Sequence, residues 1–279
     1  MRFYTNVQMV GDNFLVRGYE DGKHFATREK FYPTLFVDSK RKTKYKTLDG
    51  SPVEPIEPGT VRDCREFIKK YNDVENFNVY GNERFIYQYI SDKYPETELK
   101  FDIEQIKLTT IDIEVKSEYG FPDVESCAEE ILLITLQDYT TKQIRTWGLG
   151  AFNNKQENVI YKSFRTEYEL LTDFINWWMI EDNTPEVITG WNSKLYDIPY
   201  LCRRIDRILG EKLKKRMSPW GLVTEEETYI SGRKHLSYDI GGVSQLDYLD
   251  LYKKFTYKAQ ESYRLDYIAS VELGQKKLD

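Results

Sequence analysis

The stretch TTIDIEV, Thr109–Val115, places the tightest constraint on what this chain can fold into. Its β-branched and apolar residues read as a strand, in which residues two apart share a face. Asp112 and Glu114 therefore point one way, and Ile111, Ile113 and Val115 point the other. Strands disfavour Asp and, less strongly, Glu. Two like charges side by side repel unless water and salt, a basic side chain or a metal ion relieves them. A fold built on this strand has to supply one of those three surroundings.

Period-two and helical patterns divide the rest of the chain. Residues 1–105 read as a β-rich amino-terminal domain with some helix. FYTNVQMV and FLVRGY are strands around a Gly-Asp-Asn turn, and Asp21-Gly22 signals a hairpin. KFYPTLFV reads as another strand, with Pro33 marking an edge or bend. After a loop rich in Pro and Gly, the spacing of Val61, Cys64, Phe67, Ile68 and Tyr71 predicts a helix with Thr60 as its N-cap. A second helix, in NERFIYQYISDKYP, stops at Pro95.

From residue 106 to 279 the pattern changes. IKLTTIDIEV, EILLITLQDY, KQIRTWGLG and ENVIYKSF read as strands. TEYELLTDFINWWMIED reads as a helix, with Leu170, Leu171, Phe174, Ile175 and Trp178 on one face and a capping-box pattern at Thr166 and Glu169. PEVITGWN is a buried strand, and DIPYLCRRIDRILG a helix that tolerates Pro199 in its first turn. Together these predict an α/β (α+β) fold in which a mixed sheet is packed by helices.

Several functional classes fall away. With 40% hydrophobic and 31% charged residues the composition is that of a globular protein, and no apolar run is long enough to span a membrane. No apolar signal-peptide core opens the chain, so a cytoplasmic setting is expected. Cys64, Cys127 and Cys202 are too few and too scattered for a disulfide framework or a zinc knuckle. His24 and His235, the only histidines, exclude a His-rich zinc site. The net charge of −6 argues against a protein that simply coats nucleic acid. Two basic stretches, Ser39–Lys46 and Cys202–Arg216, read as solvated faces when each is taken alone.

Clustered carboxylates suit Mg²⁺ or Mn²⁺, which take oxygen ligands. Two such ions can clamp the attacking and leaving oxygens of a displacement at phosphorus. The first pair of candidate ligands is Asp112 and Glu114. A second element, TGWNSKLYDIPYL, puts Asn192, Tyr196 and Asp197 after a buried strand. Alone, Asp197 reads as a helix N-cap and Asn192 as a turn residue.

TTIDIEVKSEYGFP followed by VITGWNSKLYDIPYL resembles the first two motifs, D-x-E and N-x₂₋₃-[FY]-D, of the 3′→5′ exonuclease domain of family B DNA polymerases. The look is closest to the T-even-type bacteriophage branch. NVYGNERFIYQYISDKYP, LDYLDLYKKFTYKAQESYRLDYIA and LGQKKLD agree in order and distance, so the resemblance covers essentially the whole chain. It implies a ribonuclease-H-like exonuclease domain over residues 106–279. In it Asp112 would bridge two metals (Mg²⁺ or Mn²⁺), Glu114 would bind the nucleophile-side metal, and Asp197 would serve the second, directly or through water. Asn192 and Tyr196 would hold the primer's terminal nucleotides, and Tyr196 and Phe121 are candidate stacking partners for the bases of single-stranded DNA.

The family's third motif, Y-x₃-D, falls beyond LGQKKLD in the family's order. The resemblance therefore implies the amino-terminal part of a polymerase whose exonuclease domain continues past Asp279, in the same chain or a companion one, with low activity for these residues alone. The implied partners are single-stranded and primer-template DNA, the remainder of the polymerase, and a sliding clamp reached only through that remainder. VTEEETYISGRKHLSYDIGG reads as an extended hairpin around Ser231-Gly232, which in phage-type members helps separate primer from template. The amino-terminal domain of T-even relatives also binds operator RNA, and Ser39–Lys46 with Tyr45 is the candidate stretch here. A non-catalytic nucleic-acid-binding module and a stand-alone ribonuclease-H-like exonuclease are the competing readings.

Overall fold

A computed structural model describes residues 1–95, 100–118, 120–230 and 232–275. Ser231 and the end of LGQKKLD lie outside them. The contacts divide the chain into two units, Met1–Gln105 and Ile106–Asp279.

In the first unit β1 (Arg2–Val10), β2 (Asn13–Glu20) and β3 (Lys23–Lys30) form an antiparallel three-stranded sheet. Asp21 and Gly22, at φ 50° and 78°, make the left-handed two-residue turn between β2 and β3 that the Asp-Gly pair predicts. β4 (Leu35–Asp38), β5 (Tyr45–Lys46), β6 (Pro52–Ile56) and β7 (Val79–Tyr80) form a second sheet in the order β5-β6-β4-β7. The strand read in KFYPTLFV is shorter than expected: it begins only at Leu35, after Pro33, whose nitrogen has no hydrogen to give a ladder. α1 (Val61–Tyr71) carries the predicted Thr60 cap, completed into a box by Asp63, and α2 (Phe85–Lys93) ends before Pro95. Phe14, Val16, Phe31, Leu35, Val61, Cys64, Phe85 and Tyr89 form the core of this unit.

The second unit is built on a six-stranded sheet. Its strands are β8 (Leu108–Val115), β9 (Ile131–Asp138), β10 (Ile144–Leu149), β11 (Val159–Phe164), β12 (Val187–Gly190) and, later in the chain, β15 (Ser244–Asp247). The order is β11-β10-β9-β8-β12-β15. β9 runs against both its neighbours and every other pairing is parallel, so this is the expected mixed sheet. β8, β12 and β15 are thus parallel, and their carboxyl ends share one edge. Along β8 Thr109, Ile111 and Ile113 are buried while Thr110, Asp112 and Glu114 are exposed, which is the predicted alternation.

α3 (Glu167–Trp178) and α4 (Asp197–Leu209) cover the isoleucine face, and all five residues predicted for the buried face of α3 are fully buried. Thr166 caps α3, but Glu169 receives the amide of Arg165 instead of that of Thr166, so the reciprocal half of the predicted box shifts by one residue. The stretch Cys202–Arg216 is only in part a solvated basic face: Arg207, Lys212, Lys215 and Arg216 are exposed. Arg204 is buried in an ion pair with Glu167, Arg203 pairs with Glu225, and Lys214 bonds Asp206 at 2.6 Å. α5 (Glu211–Lys214) leads into an antiparallel hairpin of β13 (Val223–Ile230) and β14 (Arg233–Ile240). α6 (Tyr248–Phe255) and α7 (Leu265–Leu273) complete the unit.

Candidate functional site

The carboxyl ends of β8, β12 and β15 meet where ligands collect in open α/β sheets, past the last residues of parallel strands. β12 pairs with β8 only as far as Thr110, because β12 ends at Gly190. Gly190 runs so close to β8 that a Cβ there would sit 2.6 Å from the Ile111 carbonyl oxygen and 2.8 Å from Ser193 Cβ. The chain then turns through Asn192, whose φ of 62° lies in the left-handed region that Asn tolerates better than most residues. Past the end of β12 the Ile113 amide lacks a strand partner on that side. Asp197 supplies one: its Oδ1 accepts from Ile113 N at 3.0 Å.

That bond places the Asp197 carboxylate against β8 between Asp112 and Glu114. Asp197 is the first residue of α4 and not its N-cap; Tyr196 holds the cap position and makes no side-chain cap bond. The isolated-segment reading of Asp197 as an N-cap is therefore corrected, because a tertiary amide competes for its carboxylate. Asp197 is only 5% exposed. Burial pushes its carboxyl up to about 7, the Ile113 amide opposes this, and the Asp112 charge adds to it. A carboxyl in that condition is short of positive charge.

A cleft of about 900 Å³ opens here, and Asp112, Glu114, Phe121, Asn192, Tyr196 and Asp197 all line it. The structure thus brings all six sequence-derived candidates to one place. Phe121 is 82% exposed, and its ring lies 4.8 Å from that of Tyr196. The Tyr196 ring also lies 5.8 Å from that of Tyr200. Burial, and then the neighbouring Asp197 and Glu114 charges, push the Tyr196 hydroxyl up to about 12, so it is a neutral donor at ordinary pH.

Asp247 is not among the six site residues read from the sequence. It ends β15, is buried, and accepts from Asn192 N at 3.1 Å, Lys194 N at 2.9 Å and Leu249 N at 2.8 Å. One carboxylate thereby caps α6 and also holds the loop that presents Asn192. Trp191, Tyr263, Arg264 and Leu265 also line the cleft and were likewise missed. Nothing in their local spacing marks them, since it is the fold that brings residues 263–265 to the motif loop.

The donor set fits a hard divalent cation: every candidate ligand is a carboxylate oxygen, and among the described residues the buried carboxyl of Asp197 makes no ion pair. Asp112, Glu114 and Asp197 are the residues that could hold it. Among the described residues, however, no three His, Cys, Asp or Glu side chains stand gathered closely enough to hold an ion as they are. Nor is any helix among them long and apolar enough to cross a membrane.

Comparison with known proteins adds a family. The model of the family B DNA polymerase exonuclease domain matches residues 60–268. The DNA-directed DNA polymerase of Escherichia phage RB69 is 33% identical over 306 residues, covering 99% of this chain and 33% of its own length. That of Enterobacteria phage T4 is 33% identical over 303 residues, with the same shares. The DNA polymerase catalytic subunit of human herpesvirus 6A is 32% identical over 178 residues, covering 60% of this chain and 17% of its own length. The chain spans about a third of the length of the phage relatives it matches.

Proposed function

The chain belongs to the family B DNA polymerases through their exonuclease domain, and from that premise we propose that its second unit binds the 3′ end of single-stranded DNA and hydrolyses the terminal phosphodiester with Mg²⁺ or Mn²⁺. The observation that supports the reading is the Asp197 carboxylate bonded to the Ile113 amide, between Asp112 and Glu114, in a cleft that Phe121 and Tyr196 also line.

Asp112, Glu114 and Asp197 would hold the metal. A divalent ion bound by oxygen donors polarises the phosphoryl oxygens and lowers the pKa of water enough for attack near neutral pH. The chain's own residues do the rest. Phe121 and Tyr196 offer a paired aromatic surface on which a base can stack regardless of its identity. Asn192, held by Asp247, presents its side chain to the terminal nucleotide. The Ile113 amide fixes one Asp197 oxygen and leaves the other for a ligand. An unpaired end can lay a base on that surface, whereas a base held in a duplex is already paired and stacked on its neighbours.

A second reading, a nucleic-acid-binding module without catalysis, is favoured by one observation: no three carboxylates among the described residues are gathered as they stand. For the first unit, Lys40, Arg41, Lys42, Lys44 and Lys46 are exposed and the Lys44 ammonium lies 4.8 Å over the Tyr45 ring, which supports the RNA-binding proposal for that stretch.

Two measurements on the 279-residue chain test the leading proposal. Fluorescence anisotropy should show a short single strand binding more tightly than a blunt duplex, with affinity falling as salt rises. Titration calorimetry should show Mn²⁺ binding that is lost in the Asp112→Ala, Asp197→Ala double variant. Preference for duplex at every salt concentration removes the substrate. Unchanged Mn²⁺ binding in the double variant removes the metal site.

A further inference from the structure

The charges around the cleft are unbalanced in a specific way. Three of the described lining residues are carboxylates, and Arg264 is the one cation among them. Arg264 is exposed, occupies the N-cap position of α7, and among the described residues its guanidinium makes no ion pair. Other arginines of this unit are committed elsewhere: Arg203 to Glu225, Arg204 to Glu167, and Arg207 to the carbonyls of Ser126 and Cys127.

Its position is tied to the motif loop. Trp191, next to Asn192, donates its indole N–H to the carbonyl of Tyr263 at 3.1 Å. The Trp191 ring packs 5.8 Å from Tyr252 and 6.1 Å from Tyr248, and Tyr252 in turn meets Tyr263 edge-on at 6.4 Å. The residue preceding Arg264 is thus held by the same loop that carries Asn192, Tyr196 and Asp197.

A polyanion entering this cleft meets the three carboxylates that line it. Bound metal compensates them at the phosphate being cut but not at the next phosphate along the strand, one nucleotide away. A guanidinium suits that second phosphate, because its planar fork can give two charge-assisted hydrogen bonds to phosphate oxygens and it stays charged at any working pH.

We infer that Arg264 binds a backbone phosphate of the single strand in the cleft that the Asp112, Glu114 and Asp197 carboxylates also line. It is a substrate-binding residue, not a metal ligand, and the inference rests on the exonuclease reading of the cleft.

The test is the salt dependence of binding, which reads phosphate contacts without requiring turnover. The full 279-residue chain is titrated against a short fluorescein-labelled oligodeoxythymidylate with Ca²⁺ in place of Mg²⁺. Each phosphate contact to a single strand contributes about 0.7 to the slope of log affinity against log salt. Arg264→Ala should lower the slope by about that amount and weaken binding several-fold at low salt. Arg264→Lys, which keeps the charge, should retain the slope, so a drop confined to the Ala variant is a charge effect and not a folding defect. Arg216→Ala, an exposed arginine away from the cleft, should leave the slope unchanged. A wild-type chain that fails to bind single strands removes the exonuclease reading and this inference with it. A wild-type chain that binds them, with the same slope in Arg264→Ala, overturns the Arg264 assignment alone.

Discussion

Asp197 carries an energetic burden that can be read without substrate. Its carboxyl is raised to about 7 by burial first and by the Asp112 charge as a smaller cause. The folded protein therefore holds a proton over a pH range in which the unfolded chain has released it. Stability is highest below the unfolded value, falls as pH rises through that window, and levels off above the folded value. In metal-free buffer the thermal midpoint should drop between about pH 4 and pH 7, by the equivalent of up to about 4 kcal/mol. Asp197→Asn, which can still accept the Ile113 amide, should flatten this dependence, and Asp112→Ala should shift it to lower pH. Differential scanning calorimetry across pH checks it, and equal pH profiles for wild type and Asp197→Asn would show that the carboxyl is not protonated in the fold. This property was hidden in the sequence. That Asp112 and Glu114 share a face follows from a local period of two, but the partner of Asp197 is the amide of Ile113, 84 residues away.

At the scale of elements, legibility tracks length and periodicity. α3 was readable because five large apolar residues repeat at helical spacing, and β8 because its alternation runs for eight residues. β15 was not: SQLD is four residues with one large apolar side chain, and it is a strand only because β12 offers it a parallel edge. Yet β15 delivers Asp247, which joins the end of one strand to the loop after another. Removing that carboxylate leaves the amides of Asn192, Lys194 and Leu249 without their acceptor. Hydrogen bonds to a charged group are worth about 1.5–3 kcal/mol each and are not additive, so Asp247→Ala should cost about 2–4 kcal/mol in urea unfolding. It should also weaken single-strand binding by letting Asn192 leave its left-handed conformation. Asp247→Asn keeps an acceptor oxygen and should recover part of both. If Asp247→Ala unfolds at the wild-type urea concentration, the loop is held by Gly190 and α4 alone.

At the scale of the whole molecule, each unit has a hydrophobic core of its own among the described residues. Phe14 is fully buried in the first unit, stacked 4.6 Å from Tyr89 and edge-on to Phe31 at 5.4 Å. Phe174 is its counterpart in the second unit, 5.2 Å from Trp147 and 5.6 Å from Trp178. Each core is large enough for its unit to unfold as a cooperative block, and a chain of two such blocks departs from two-state behaviour. Truncating a buried Phe to Ala costs about 3–5 kcal/mol through lost burial and the cavity left behind. Phe14→Ala should therefore lower one calorimetric transition and leave the other, together with Mn²⁺ binding at the Asp112 cleft, near wild type. Phe174→Ala should do the reverse, because Phe174 lies in the core that also contains Ile111, Ile113 and Ile198, the immediate neighbours of Asp112, Glu114 and Asp197. A single transition that moves equally in both variants would mean that the units fold as one block. In that case loss of metal or strand binding in a variant of the first unit would report stability and not contact with the ligand.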